Sequence, residues 1–200
     1  MSIQATAAAM LAMVASGWGG EKIQVYVNGG NIAANVLFPA EGTASRMLAT
    51  DGVQIVWRRG VPHSGERTRE QADFVVEFSE HTSPDYHPGA MAYTQPYEGV
   101  HIVVFYDRMQ NFPGRLLPVL LAHVLVHELT HLLEAVEHHS ATGIMKAHWD
   151  GRDYGQMLRA PLPFAPEDIE MIQRGIAARE ARARSGSHVT AAIVAGLELP

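Results

Sequence analysis

One apolar segment constrains the fold of this 200-residue chain more than any other feature. From about Leu116 to Val136, leucine and valine recur in the pattern of a helix that is buried on most of its surface. Histidine is costly to bury unless its ring nitrogens find partners, yet this segment carries His123, His127 and His131 at successive four-residue steps. The fold must therefore enclose the helix and also satisfy a row of imidazoles along one face.

The segment contains His127-Glu128-Leu129-Thr130-His131, which matches the His-Glu-x-x-His pattern of zinc enzymes. Residues four apart lie on one helix face, so both imidazoles can bind the same ion. Glu128 would then sit beside the metal and take a proton from a metal-bound water. Because the chain has no cysteine, its ligands must be His, Asp or Glu. The pattern predicts a Zn²⁺ site with Glu128 as general base.

A catalytic zinc site needs a third protein ligand and keeps one position open. We expect His123, one turn before the motif, to pack in the core or support a ligand. On a straight helix His138 would lie about 16 Å beyond His127 along the axis, out of reach of the same ion. The helix must therefore end near Ala135 to Glu137. Either His138 or His139 can then return to the metal, and we favour His139.

The chain resembles the metzincin zinc peptidases in four features that follow one another along the sequence. They are the His-Glu-x-x-His motif, a later histidine, Ser140 and the turn Gly143-Ile144-Met145. The resemblance implies that His139 is the third zinc ligand. It also implies that Met145 is the residue of the Met-turn that underlies the metal without binding it.

The chain departs from the usual metzincin signature at two positions, because Glu134 and Glu137 stand where that signature has Gly and His. The sharp turn then falls on Ala135 or its neighbours, at some conformational cost. A group of predicted secreted bacterial metallopeptidases is more similar, since it shares the late histidine and the Gly-Ile-Met turn. That likeness covers Gly114 to about Gln173.

The resemblance implies zinc-dependent hydrolysis of peptide bonds by an endopeptidase, with Zn²⁺ as cofactor and a peptide or protein as substrate. Extended peptides commonly bind along a sheet edge. We expect this edge to be the strand Val100 to Tyr106, the nearest in sequence to the predicted zinc-binding helix, with Met91 to Gly99 forming the rim of the cleft.

Three alternatives stay open at this level. Glu167 could be the distant third ligand of a glutamate-type zinc peptidase, although the Gly-Ile-Met turn favours His139. His148 or Tyr154 could stabilise an oxyanion, although solvated surface positions explain both. The site could also hold zinc in a non-catalytic protein that recognises a peptide or partner, but a structural site has no need of Glu128.

Patterns outside the metal helix predict an α+β fold: a mixed, twisted sheet with one packed helix, then the zinc helix, the Met-turn and a C-terminal helix. The expected strands are Lys22 to Val27, Val53 to Arg58, Ala72 to Ser79 and Val100 to Tyr106. The expected helices are Pro39 to Thr50 and one beginning at Ala165, and His81 to Gly89 is expected to be a loop.

The length fits a single catalytic domain over residues 21–181, followed by a loosely held tail over 182–200. Residues 1–20 contain the apolar run Ala7 to Ser16, which fits a signal-like or flexible segment. We expect a secreted or periplasmic protein, with a cytoplasmic one as the alternative because no basic residue precedes the run. The net charge of −6 argues against nucleic acid as a partner, and no segment predicts stable membrane insertion. The oligomeric state stays open.

Overall fold

The polypeptide folds as five strands and five helices in a computed structural model that describes residues 21–62, 74–94 and 100–195. The expected N-terminal segment lies outside these residues. The strands are β1 (Glu21–Asn28), β2 (Val53–Arg59), β3 (Phe74–Ser79), β4 (Ala92–Thr94) and β5 (His101–Phe105). The helices are α1 (Ala34–Ala49), α2 (Tyr106–Met109), α3 (Leu117–Glu134), α4 (Gly151–Met157) and α5 (Pro166–Ala195).

The strands form one sheet in the order β2-β1-β3-β5-β4. The first four are parallel to their neighbours, and β4 runs antiparallel to β5. The predicted mixed sheet and α+β class are confirmed. The expectation that Val100 to Tyr106 is the edge strand is wrong, because β4 pairs with this strand and forms the edge. With only three residues, β4 is too short to produce a recognisable alternation.

The helix α1 begins five residues earlier than predicted, at Ala34 rather than Pro39. Proline is most common in the first turn of a helix. The observed helix keeps Pro39 inside, since burial of an apolar stripe outweighs the lost hydrogen bond. The buried residues of α1 are Val36, Leu37, Ala40, Glu41, Ala44, Met47 and Leu48.

The helix α3, which carries the His-Glu-x-x-His pattern, is enclosed as expected, with every residue from Leu120 to Glu134 buried. Within the described residues it is the one helix long and apolar enough to cross a membrane, but 83% of it is buried inside the protein. The helix ends where predicted: Ala135 adopts the left-handed conformation, with φ 55° and ψ 33°. The chain therefore leaves the helix axis directly after Glu134 and turns back.

The helix α5 packs closely against the end of α3. A Cβ atom at Gly175 would lie 1.8 Å from the carbonyl oxygen of Leu133, so only glycine permits this approach. The helix is longer than expected and continues to Ala195, past the point where we predicted a loose tail. Residues 177–184 are all Ala, Arg or Glu, which favour helix over an irregular tail.

Candidate metal centre

His127 and His131 of α3 are oriented by backbone carbonyl groups on the far side of each ring. The Nδ1–H of His127 donates to the Ile144 carbonyl at 2.9 Å, and that of His131 donates to the Val136 carbonyl at 3.2 Å. Because a carbonyl can only accept, both rings carry their proton on Nδ1. The unprotonated Nε2 atoms face each other, 3.1 Å apart.

His139 completes a group of three imidazoles after the chain turns back at Ala135. Its ring centre lies 5.2 Å from that of His127 and 5.0 Å from that of His131. One nitrogen from each of the three rings lies within 4.8 Å of the others. Two of the rings are buried, whereas His139 is exposed. The structure thus brings together the three histidines that the sequence analysis selected as ligands.

The chemistry of these nitrogens fits a zinc ion. Burial is the main factor that lowers the pKa of His127 to about 3 and that of His131 to about 4, so both rings are neutral at physiological pH, as metal binding requires. Two lone pairs 3.1 Å apart repel unless a cation lies between them. Tetrahedral zinc with nitrogen ligands would separate neighbouring nitrogens by roughly 3.3 Å, which is close to the observed spacing.

Glu128 is the carboxylate nearest in sequence to these ligands, and it is buried with 8% of its surface exposed. Burial raises its pKa to about 8. A bound dication would favour the ionised form and oppose this shift. Glu128 lines the same cleft as the three histidines.

His123 and His138 lie outside the cluster. His123 donates from Nδ1 to Val119 O at 2.7 Å and accepts the Leu162 N–H at Nε2, which makes it a fully satisfied core histidine, as expected. His138 faces Ser140 instead, with its Nε2 3.3 Å from Oγ.

Glu134 and Glu167 also take no part in the histidine cluster. Glu134 is buried at the end of α3, and neither of its carboxylate oxygens has a hydrogen-bond partner among the described residues. Glu167 is exposed in the first turn of α5. Glu167 as distant third ligand therefore finds no support in the geometry.

The turn Gly143-Ile144-Met145 supports the cluster from below α3. Its Ile144 carbonyl accepts from His127, and its Ile144 N–H donates to the Pro163 carbonyl at 2.9 Å. A Cβ at Gly143 would lie 2.2 Å from that same oxygen, and φ here is 76°, so glycine is required. Met145 is fully buried. The turn thus fixes the orientation of one histidine and contributes to the core.

The three histidines open into a cleft of about 640 Å³. One wall is formed by residues 87–94, which include the edge strand β4. The opposite wall is formed by residues 146–149 and Tyr154. His148 and Tyr154, named as candidates for oxyanion stabilisation, therefore both border the cleft. Of the expected rim, Met91 to Thr94 lies on the first wall, and residues 95–99 lie outside the described residues.

The first wall is held by two residues that sequence reasoning did not assign. Arg108 donates to four backbone carbonyls of the preceding loop, at Ser83, Tyr86, His87 and Ala90. Asp107 accepts from the backbone N–H and the hydroxyl of Thr82, both at 2.9 Å. The only sign of them in the sequence is an acidic residue next to a basic one directly after a strand. Their contacts show that they organise this wall rather than bind metal.

Comparison with known proteins supports the fold. No family model and no curated protein sequence matches the chain. Among solved structures, the chain is similar to the crystal structure of archaemetzincin from Methanopyrus kandleri, with a TM-score of 0.55 and 15% sequence identity. The similarity covers 82% of this chain and 99% of that one. At this identity the likeness establishes a shared fold, and the expected likeness to secreted bacterial metallopeptidases stays a prediction.

Proposed function

We propose that this protein is a zinc-dependent endopeptidase with His127, His131 and His139 as metal ligands and Glu128 as general base. The observation that carries the proposal is the convergence of three imidazoles within 4.8 Å, beside a buried carboxylate, in an open cleft. The archaemetzincin-like fold and the resemblance of the motif to metzincin peptidases support the same assignment.

Zinc, when bound, would polarise the scissile carbonyl and acidify water in the cleft. Glu128 would accept a proton from that water and then pass it to the departing amine. The Ile144 and Val136 carbonyls keep the proton of each helix histidine on Nδ1, so both Nε2 atoms remain available as ligands. The fold thus fixes the orientation of both helix histidines.

The substrate would bind as an extended strand beside β4. Among the described strands, β4 pairs only with β5, and its residues line the cleft. Free backbone donors and acceptors on an edge strand can bind a peptide in any sequence context. Residues 146–149 and Tyr154 would then confine the peptide from the opposite wall.

The non-catalytic alternative predicts that a fourth protein ligand closes the site. The two histidines that could do so are His123 and His138, and both are engaged elsewhere. A three-histidine site beside Glu128, with no fourth histidine to close it among the described residues, favours catalysis over storage of the metal or recognition alone.

The proposal is tested by Glu128→Gln, which keeps the shape of the side chain and removes its basicity. We expect this variant to retain zinc, while cleavage of a mixed peptide library falls by about 10²- to 10⁴-fold. Glu77→Gln, an exposed site on β3, is the matched control and should cleave at the native rate. Equal cleavage by native protein and Glu128→Gln at full zinc occupancy would contradict the assigned base.

A further inference from the structure

The third histidine of the cluster is held less directly than the other two. His127 and His131 extend from a rigid helix, and each donates from Nδ1 to a backbone carbonyl. His139 lies on an irregular segment with an exposed side chain, and among the described residues no hydrogen bond to its ring is present. Its position must therefore be fixed through its neighbours along the chain.

Ser140, the next residue, is buried and tied on two sides. Its backbone N–H donates to the Met145 carbonyl at 2.9 Å, which closes the loop between His139 and the Met-turn. Its Oγ–H donates to Oδ1 of Asp168 at 2.5 Å. Because the single hydroxyl proton goes to Asp168, the oxygen accepts from Nε2 of His138 at 3.3 Å. These contacts leave Ser140 little freedom to move.

Asp168 is itself immobilised, because it belongs to the first turn of α5 and is fully buried. Its Oδ2 accepts the Ala165 N–H at 2.8 Å, which is the backward contact of a capping box. Capping uses only one carboxylate oxygen. The other oxygen is directed away from its own helix, toward Ser140, and a capping role alone does not explain that contact.

We infer that Asp168 is a positioning residue that holds His139 in its place as third ligand, acting through Ser140. The inference rests on the proposed zinc site. The chain segment just before Asp168 also supports His127, because Pro163 accepts from Ile144, whose carbonyl orients that ring. Pro163 and Asp168, at the start of α5, thus support His127 before the turn at Ala135 and His139 after it.

The first test removes the link and leaves the cap of α5 intact. In Ser140→Ala, zinc affinity, measured by competition with a chromophoric chelator, should fall by about 10- to 100-fold, the usual effect of losing a group that orients a ligand. The visible spectrum of the Co²⁺-substituted protein should also change, because a displaced His139 alters the coordination geometry. A merely structural role would leave this spectrum unchanged.

The control for variants at Ser140 and Asp168 is Glu41→Ala. Like Asp168, Glu41 is a buried carboxylate that accepts two hydrogen bonds, in this case from Arg59. Glu41 belongs to α1, and none of its described contacts involves His139 or Ser140. We expect its zinc affinity and Co²⁺ spectrum to match those of the native protein.

Asp168→Ala and the double variant that combines Ser140→Ala with Asp168→Ala complete a double-mutant cycle. If Asp168 acts through Ser140, the double variant should bind zinc as weakly as Asp168→Ala alone, within about twofold. Zinc affinity and a Co²⁺ spectrum unchanged in Ser140→Ala would overturn the inference, even if Asp168→Ala fails to fold. Tight zinc binding without peptide cleavage in the native protein would instead contradict the proposed function and leave the inference standing.

Discussion

Glu134 provides a prediction whose size follows from the structure. It is 8% exposed, and within the described part of the chain neither carboxylate oxygen has a hydrogen-bond partner. Burial together with nearby Asp168 raises its pKa from 4.5 to about 8. A raised folded-state pKa gives stability that is present below about pH 4.5 and is lost as pH rises toward 8. Glu134→Gln removes this titration while keeping the side-chain shape.

The linkage relation gives the magnitude. A pKa unit corresponds to about 1.4 kcal/mol, so the advantage of the Gln variant in the free energy of unfolding should grow by roughly 2–3 kcal/mol between pH 5 and pH 7. Urea unfolding at a series of pH values, with zinc present throughout, measures this difference. The pKa shifts of Glu128 and of the histidines occur in both proteins, so their effects cancel in the difference in the free energy of unfolding.

Glu77→Gln, on the exposed surface of β3, is the control and should keep a constant difference from the native protein across the same range. An advantage of Glu134→Gln that changes by less than about 0.5 kcal/mol between pH 5 and pH 7 would refute the account of a buried, unpartnered carboxyl.

Three further predictions concern the end of α3 and the third ligand. Ala135→Gly should raise the free energy of unfolding by about 0.5–1 kcal/mol, because glycine adopts the observed φ of 55° without strain; a lower urea midpoint would contradict this. Gly175→Ala should lower it by about 1–3 kcal/mol, since its Cβ would lie 1.8 Å from a backbone oxygen. Gly42→Ala, whose nearest contact is a side-chain atom at 3.7 Å, is its control and should be neutral or stabilising. In calorimetric titrations, His139→Ala should weaken zinc binding far more than His138→Ala, and the reverse order would make His138 the ligand.

The metal helix was the most predictable part of the molecule. Its apolar pattern, the spacing of His127 and His131 and the need for a third ligand together required a break near Ala135, and the break is present. These features depend on local periodicity and on the reach of a helix, and both can be worked out from the chain alone.

Features that depend on tertiary contacts could not be predicted in the same way. The three residues of β4 are defined by pairing with β5, and no pattern of their own distinguishes them from a loop. Asp168 looks like an ordinary acidic residue in the first turn of a helix, and its contact with Ser140, 28 positions earlier, appears only in the folded protein. The start of α1 before Pro39 likewise follows from packing.

The most direct test of the central claim is the zinc dependence of cleavage. Protein stripped with a chelator should cleave no peptide in a mixed library, and the rate should rise in proportion to added zinc and level off at one equivalent per chain, as expected for a single three-histidine site. A chain that binds one zinc ion and cleaves no peptide, or cleavage that does not respond to zinc, would contradict the account.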